Sequence, residues 1–313
     1  MTKPIRFRVT VDEPDSHLVH VEMTIRGLGD DPSIDVAMPA WTPGSYLLRE
    51  YARFVRNVRA GDRRLVTKQD KSTWRIDTLA APEVTLHYDV YAHDLNVRFS
   101  HVEADHAFLH GPSLFMYPVG RLADAVEVIL ELPESWEVFT GLRRTEGATP
   151  LYTASSFDEL FDCPVLAGDD LDAFDFTAGD VPHRFVMWGR GNYDAERIAA
   201  DTARVVEASA RIFGGQLPYD DFAFLTLLTD DQYGGPAPDD AHLSGVILRV
   251  NDDDADNLFD WLTQRWVQFS GRTIDRASAP WLAGPVGGTR QIDPDALLRF
   301  RQGLVDDLVA PGL

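Results

Sequence analysis

The sequence predicts an α+β chain, with an antiparallel β domain over residues 1–165 and a mixed α/β segment over 166–313. Three observations carry this expectation. Apolar residues alternate with period two in several early runs, as in strands with one buried face. Clusters of Gly, Pro and Asp separate those runs. After Pro164 the pattern changes to long apolar runs and helical spacing.

In chain order, Ile5-Arg-Phe-Arg-Val-Thr-Val11 alternates, as do Leu18–Ile25, Val84–Tyr91 and Val126–Leu132 with some irregularity. All four read as strands. Beyond the boundary, Arg184–Trp188 reads as a strand, and Asn192 suits a helix N-cap. Ile198, Thr202, Val205, Ser209 and Ile212 then recur on one helical face, and Gly214-Gly215 provides a stop. Phe222–Leu228 and Ser244–Val250 are apolar strands, with helices expected over about Ala255–Ser270 and Pro294–Val309.

Composition narrows the function classes. The formal net charge is −21 over 313 residues, which disfavours nucleic acid and anionic membranes as partners. No run of 18 apolar residues is present, so no spanning helix is expected. The start, MTKPIRFRVTV, reads as a first strand rather than a signal peptide, and a cytoplasmic location follows as the expectation. Cys163 is the single cysteine. It excludes an internal disulfide and reads as a small buried hydrophobe.

Two stretches resemble one family. Met38-Pro-Ala-Trp-Thr-Pro-Gly-Ser-Tyr-Leu-Leu-Arg-Glu-Tyr-Ala52 carries a W-x-P-G-S-Y core followed by an Arg–acid pair. Phe213-Gly-Gly-Gln-Leu-Pro-Tyr-Asp-Asp-Phe222 precedes an apolar strand and Tyr233-Gly-Gly235. Asp94-Leu-Asn-Val-Arg98 and Pro164-Val-Leu-Ala-Gly168 add weaker similarity. Together they resemble the glycyl aminopeptidases, metallopeptidase family M61. The resemblance implies an N-terminal β domain followed by a thermolysin-like (gluzincin-type) catalytic domain. It also implies H-E-x-x-H on a helix, a later glutamate as third zinc ligand, and a G-G-x-E-H strand facing the substrate.

Checked residue by residue, the chain departs from that pattern. The H-E-x-x-H position reads Gln264-Arg265-Trp266-Val267-Gln268. Glutamine amides are poor zinc ligands, and the Arg265 guanidinium cannot act as a general base. The G-G-x-E-H position reads Gly234-Gly235-Pro236-Ala237-Pro238, which keeps the glycines and loses both chemical groups. Trp281-Leu-Ala-Gly284 only faintly resembles the third-ligand helix. With the chain ending at Leu313, the catalytic-like segment is expected to be partial and without a PDZ domain.

The expectation is a pseudoenzyme with no cofactor that binds peptides or another protein. Tyr46, Arg49, Gly234, Gly235 and His242 are its candidate ligand-binding residues. Two alternatives stay open. One is an active hydrolase with relocated ligands from His242 or from His101-Val-Glu-Ala-Asp-His-Ala-Phe-Leu-His110. On a strand, that run divides His101, Glu103 and Asp105 from His106 and His110, unless a turn gathers them. The other is a structural or regulatory partner that binds an intact family member, and under all three readings self-association is expected over apolar surface left uncovered. Asn251-Asp-Asp-Asp-Ala-Asp-Asn257 lacks the glycine and terminal glutamate of an EF-hand and reads as a helix entry. Around Trp41, Tyr46 and Tyr51, a Pro43-Gly44 corner with core-filling aromatics is expected, with Arg49, Arg53 and Arg56 paired to acids.

Overall fold

The computed structural model describes residues 3–42, 47–145, 147, 150–211, 215–217 and 219–228, and the backbone of 212, 235–242 and 245–249. The helices expected over 255–270 and 294–309, the 251–257 acidic run and Gln264–Gln268 lie outside them.

The chain begins with β1 (Ile5–Thr10), β2 (Leu18–Arg26), β3 (Ser33–Ala37), β4 (Val55–Ala60), β5 (Val66–Lys68), β6 (Thr73–Asp77) and β7 (Glu83–Tyr91). A hairpin of β8 (His101–Glu103) and β9 (His106–Leu109) leads into the one-turn α1 (Gly111–Leu114) and β10 (Tyr117–Pro118). β11 (Val126–Glu131), β12 (Glu137–Thr140), β13 (Arg143–Thr145), β14 (Leu151–Ala154), α2 (Phe157–Asp162) and β15 (Val165–Gly168) follow. The remainder is β16 (Asp172–Ala178), β17 (Val181–Trp188), α3 (Ala195–Ile212), β18 (Phe222–Leu227), β19 (Gly235–His242) and β20 (Gly245–Arg249).

Four sheets result. The first has seven strands in the order β13-β14-β11-β1-β2-β7-β4. Its period-two residues point inward: Ile5, Phe7 and Val9 on β1, and Val84, Leu86, Tyr88 and Val90 on β7, are all buried. One pairing departs from the expected antiparallel pattern. β1 and β11 run parallel, Ile5 opposite Val126 and Val9 opposite Leu130. A parallel pair needs a long crossover, and the intervening strands supply it. Arg6 clamps the register on the exposed face through Glu127, at 2.8 and 2.6 Å.

The second sheet (β10-β3-β6-β5) and one face of the third (β12-β15-β9-β8) close over the first. A single core contains Phe7 and Tyr88 from the first sheet, Trp74 and Ile76 from the second, and Leu109 and Val165 from the third. Cys163 is a buried thiol at the end of α2. The Tyr88 hydroxyl donates to the Leu114 carbonyl at 2.9 Å and accepts from the Met116 N–H at 3.1 Å. Such pairing is what makes a buried hydroxyl tolerable.

The third sheet buries both faces. Ala107, Leu109, Val165 and Ala167 join the first core, while the alternate residues Phe108 and Leu166 pack with Val186, Leu225 and Leu227. The fourth sheet, β16-β17-β18-β20-β19, is likewise two-sided. Phe185, Met187 and Phe224 form a further cluster with Val205 of α3. Burial on both faces explains why these strands read as continuous apolar runs instead of alternating ones.

α3 connects two strands that pair in parallel, β17 and β18, and buries Thr202, Val205 and Ser209 on the expected face. Its cap differs from the expectation at Asn192. Asp194 accepts the Arg197 N–H through its side chain at 3.0 Å, and its carbonyl accepts the Ile198 N–H at 2.9 Å. Two residues nearer the helix, the Asp194 carboxylate also brings a negative charge to the positive end of the macrodipole. α2 was not legible as a helix, although Ser155-Ser156-x-x-Glu159 spells a cap. The Ser156 hydroxyl accepts the Glu159 N–H, and the Glu159 carboxylate accepts the Ser155 N–H at 2.7 Å. Among the described residues, no helix is long and apolar enough to cross a membrane.

Candidate functional site

The residues singled out in the sequence fall on three places. Gly235, Ala237, Pro238 and His242 lie on β19, the last strand of the fourth sheet. Its partner β20 pairs antiparallel, Gly235 with Arg249 and Pro236 with Leu248, then His242 with Gly245 after a register shift. Prolines donate no backbone hydrogen bond, so a strand with Pro236 and Pro238 belongs at an edge. Gly234, Tyr46, Gln264, Arg265 and Gln268 lie outside the described residues.

The second place is the 38–56 segment. The Arg49 N–H donates to the Ala40 carbonyl at 2.7 Å and closes the base of the loop. Tyr51 is fully buried, edge-on to Phe99 at 5.4 Å, as a structural corner requires. Trp41 departs from the core-filling expectation: it is 47% exposed, with Leu47 and Leu48 at 62% and 67%. Arg53 and Arg56 also depart from simple pairing with acids. Arg53 lies 4.6 Å over the Phe54 ring and Arg56 4.6 Å over the Tyr91 ring, where the guanidinium plane meets the negative face of an aromatic. The segment therefore has a fixed base with exposed apolar side chains at Trp41, Leu47 and Leu48.

The third place is the histidine run. A turn at Ala104-Asp105 folds it into the β8–β9 hairpin, setting Glu103 opposite His106. The rings of His101 and His106 come within 5.3 Å, whereas a single strand would have held them apart. His110 departs into the core beside Tyr51, at 5.9 Å. Two distant histidines complete the cluster. His17 ends the short turn Pro14–Ser16 in a left-handed backbone conformation, φ 56°. His93 forms an isolated bridge with His101.

The result is a column of rings. His17 stacks on His93 at 3.8 Å, His93 lies 5.8 Å from His101, and His106 stacks on Trp188 of the fourth sheet at 3.6 Å. The Glu103 carboxylate runs alongside, 3.2 Å from His93 Nδ1, 3.7 Å from His101 Nε2 and 4.0 Å from His17 Nδ1. Burial holds His106 below the usual imidazole range, against the opposing pull of Asp105 at 2.9 Å. Among the described residues, His17, His93 and Glu103 offer donor atoms all within 4.8 Å of one another. Sequence spacing could not have found this trio, because its members lie on three separate segments.

Comparison with known proteins fixes the family. The family described as the Peptidase M61 N-terminal domain matches residues 6–169, and that match ends one residue past β15. Among solved structures, an aminopeptidase N family protein from Idiomarina loihiensis is similar at 29% identity and a TM-score of 0.72. The similarity covers 80% of this chain and 43% of that one, so this chain spans less than half of its length. The M1 zinc metallopeptidase from Deinococcus radiodurans is 14% identical, with a TM-score of 0.48 over 85% of this chain and 64% of that one. No curated protein matches. The match over residues 6–169 takes in more than half of the 313 residues, and with it the chain belongs to the peptidase M61 family.

Proposed function

We propose that this chain is a non-catalytic member of the peptidase M61 family that binds a peptide or protein without cleaving it. One observation carries the reading: Gln264-Arg265-Trp266-Val267-Gln268 stands where the resemblance puts H-E-x-x-H. The donor set does not fit zinc. A neutral amide oxygen replaces each imidazole nitrogen, and a permanent cation replaces the general base. At ~5 Å and an effective dielectric of ~20, a guanidinium would repel a dication by on the order of 6 kcal/mol. No catalytic step is derived through a metal at that position.

The edge strand supports the same reading. Where the resemblance expects Glu and His, Ala237 and Pro238 carry neither a carboxylate nor an imidazole. Pro236 and Pro238 also withdraw two N–H donors from the strand, so a peptide lying along β19 would meet carbonyl acceptors alone at those two positions. The thermolysin-like assignment of residues 166–313 belongs to this proposal. A mixed sheet with a helix between parallel strands and an antiparallel edge strand supports it. For recognition, the exposed side chains of Trp41, Leu47 and Leu48 give a partner a hydrophobic foothold.

The test is a panel of peptides with N-terminal glycine, incubated with the full chain with and without added zinc. No glycine release is expected in either arm. Release that requires zinc and stops on adding chelator overturns the proposal. Metal content alone does not decide it, because the chain presents imidazoles elsewhere.

A further inference from the structure

The geometry points to a divalent transition-metal site in the N-terminal domain, made by His17, His93 and Glu103. It is separate in the sequence from Gln264–Gln268 and independent of the proposed loss of catalysis.

The donor chemistry comes first. Two imidazoles and one carboxylate suit zinc, cobalt or nickel, while magnesium and calcium prefer all-oxygen shells. Three protein ligands leave a coordination position for water or a partner's side chain. A net charge of −21 raises the local concentration of cations.

Spacing comes second. Tetrahedral bonds of about 2.1 Å separate neighbouring donors by about 3.4 Å. His93 Nδ1 and Glu103 Oε1 are already 3.2 Å apart. His17 Nδ1 stands 4.0 Å from Glu103 Oε2, and one donor from each of the three falls within 4.8 Å of the others. The remaining adjustment is about an ångström. Rotating the His17 and His93 rings out of their 3.8 Å stack supplies it, since imidazole χ2 is a soft torsion.

Preorganisation comes third. The Ala92 N–H donates to the His17 carbonyl and the Val102 N–H donates to the Ala92 carbonyl, both at 2.8 Å. These bonds tie the three ligand-bearing segments together at residues adjacent to, or among, the ligands. His17 Nδ1 lies 2.7 Å from the Val102 carbonyl. A carbonyl only accepts, so Nδ1 carries the proton in the metal-free chain, and turning the ring toward the trio exchanges this hydrogen bond for the bond to the metal. His101, bridged to His93 and 3.7 Å from Glu103, lies behind the trio as a further imidazole in reach of the carboxylate.

The experiment uses the full chain, stripped with chelator and dialysed. Cobalt(II) is titrated while its visible absorption is followed, and zinc is titrated by calorimetry. One equivalent is expected to bind with a ligand-field band. His93→Gln and Glu103→Gln should each weaken binding at least about 100-fold, since losing an orienting partner alone costs about 10–100-fold. His17→Asn should do the same, and asparagine tolerates the left-handed backbone at that position. His20→Gln and His87→Gln, at histidines on the β2 and β7 strands, should leave binding unchanged. Absence of saturable binding, or binding that survives both His93→Gln and Glu103→Gln, overturns the inference, and the second result would place the ion elsewhere, including 264–268. If a variant fails to fold, substoichiometric cobalt added to the parent chain reads the site directly. The ring resonances of His17 and His93 should broaden before those of His20 and His87, and equal broadening overturns the assignment.

Discussion

The N-terminal three sheets and the fourth sheet divide the chain's chemistry unevenly. Of nine histidines, all but His183 and His242 lie before residue 165, and four of those stack into one column beside Glu103. The fourth sheet and the chain beyond it hold the positions where the resemblance expects two zinc-binding histidines, a general base and a substrate-facing Glu and His, and the sequence has amide, guanidinium, methyl and pyrrolidine groups there. The difference separates scaffold from chemistry. Glycines and apolar strands set backbone geometry without any catalytic group. Ligand sites depend on a few side-chain atoms and disappear with them.

Cooperativity between the two regions gives the largest test. Phe7 is fully buried, edge-on to Phe115 at 4.8 Å and to Phe157 at 6.1 Å. Phe7→Ala should remove about 3–5 kcal/mol from the unfolding free energy measured in urea. Phe185, stacked on Phe224 at 4.4 Å, anchors the fourth sheet. Phe185→Ala should lower the same single transition, because Phe108 and Leu166 share one apolar layer with Val186 and Leu225. Two transitions, each moved by one variant only, would break the picture of continuous layers.

A smaller effect is expected where the third sheet turns back on itself. A Cβ at Gly168 would meet the Asp105 carbonyl oxygen at 2.8 Å and the His106 Cα at 3.2 Å. Gly168→Ala should cost about 1–3 kcal/mol through forced displacement of the β8–β9 hairpin, read as a lowered Tm. An unchanged Tm would mean that the hairpin moves freely.

Acid titration should separate the regions with the smallest effect of the three. His183, on β17, stacks on Phe176 at 5.0 Å, and its Nε2 lies 3.0 Å from the Tyr219 hydroxyl. Burial holds it below the usual imidazole value. The unfolded chain therefore takes up the proton first, so the stabilisation is full above pH ~6.5 and is lost as pH falls from there through the folded value. Asp89, on β7, behaves differently. Burial alone would raise it, yet hydrogen bonds from Asn57 at 2.6 Å and His20 at 2.7 Å outweigh that and hold it below the usual carboxylate value. Its contribution is full above pH ~3.9 and is lost as pH falls through the folded value. His183→Gln should flatten the decline that begins below pH ~6.5 and leave the loss below pH ~3.9 in place, as followed by thermal melts across pH. A slope unchanged in His183→Gln would remove the distinction.

Much of the architecture was legible from local pattern. Period-two alternation marked β1, β2, β7 and β11, because one face of the first sheet is buried and the other is wet. Helical spacing marked α3 for the same reason. The short strands β3, β5, β8 and β10 were not marked, since two to five residues carry too little periodicity to register. The W-x-P-G-S-Y segment pointed to the family, and the identities at 264–268 carry the proposed loss of catalysis, because an amide cannot become an imidazole in any fold. By itself, then, the sequence determined the elements with one-sided burial, the family and the missing donors, all of which are properties of single residues or of short periods. Tertiary structure alone decided the parallel β1–β11 pair, the two-sided third sheet and the meeting of His17, His93 and Glu103. Each of these depends on which distant segments become neighbours, and that is set by long-range strand pairing and burial, for which local spacing holds no record.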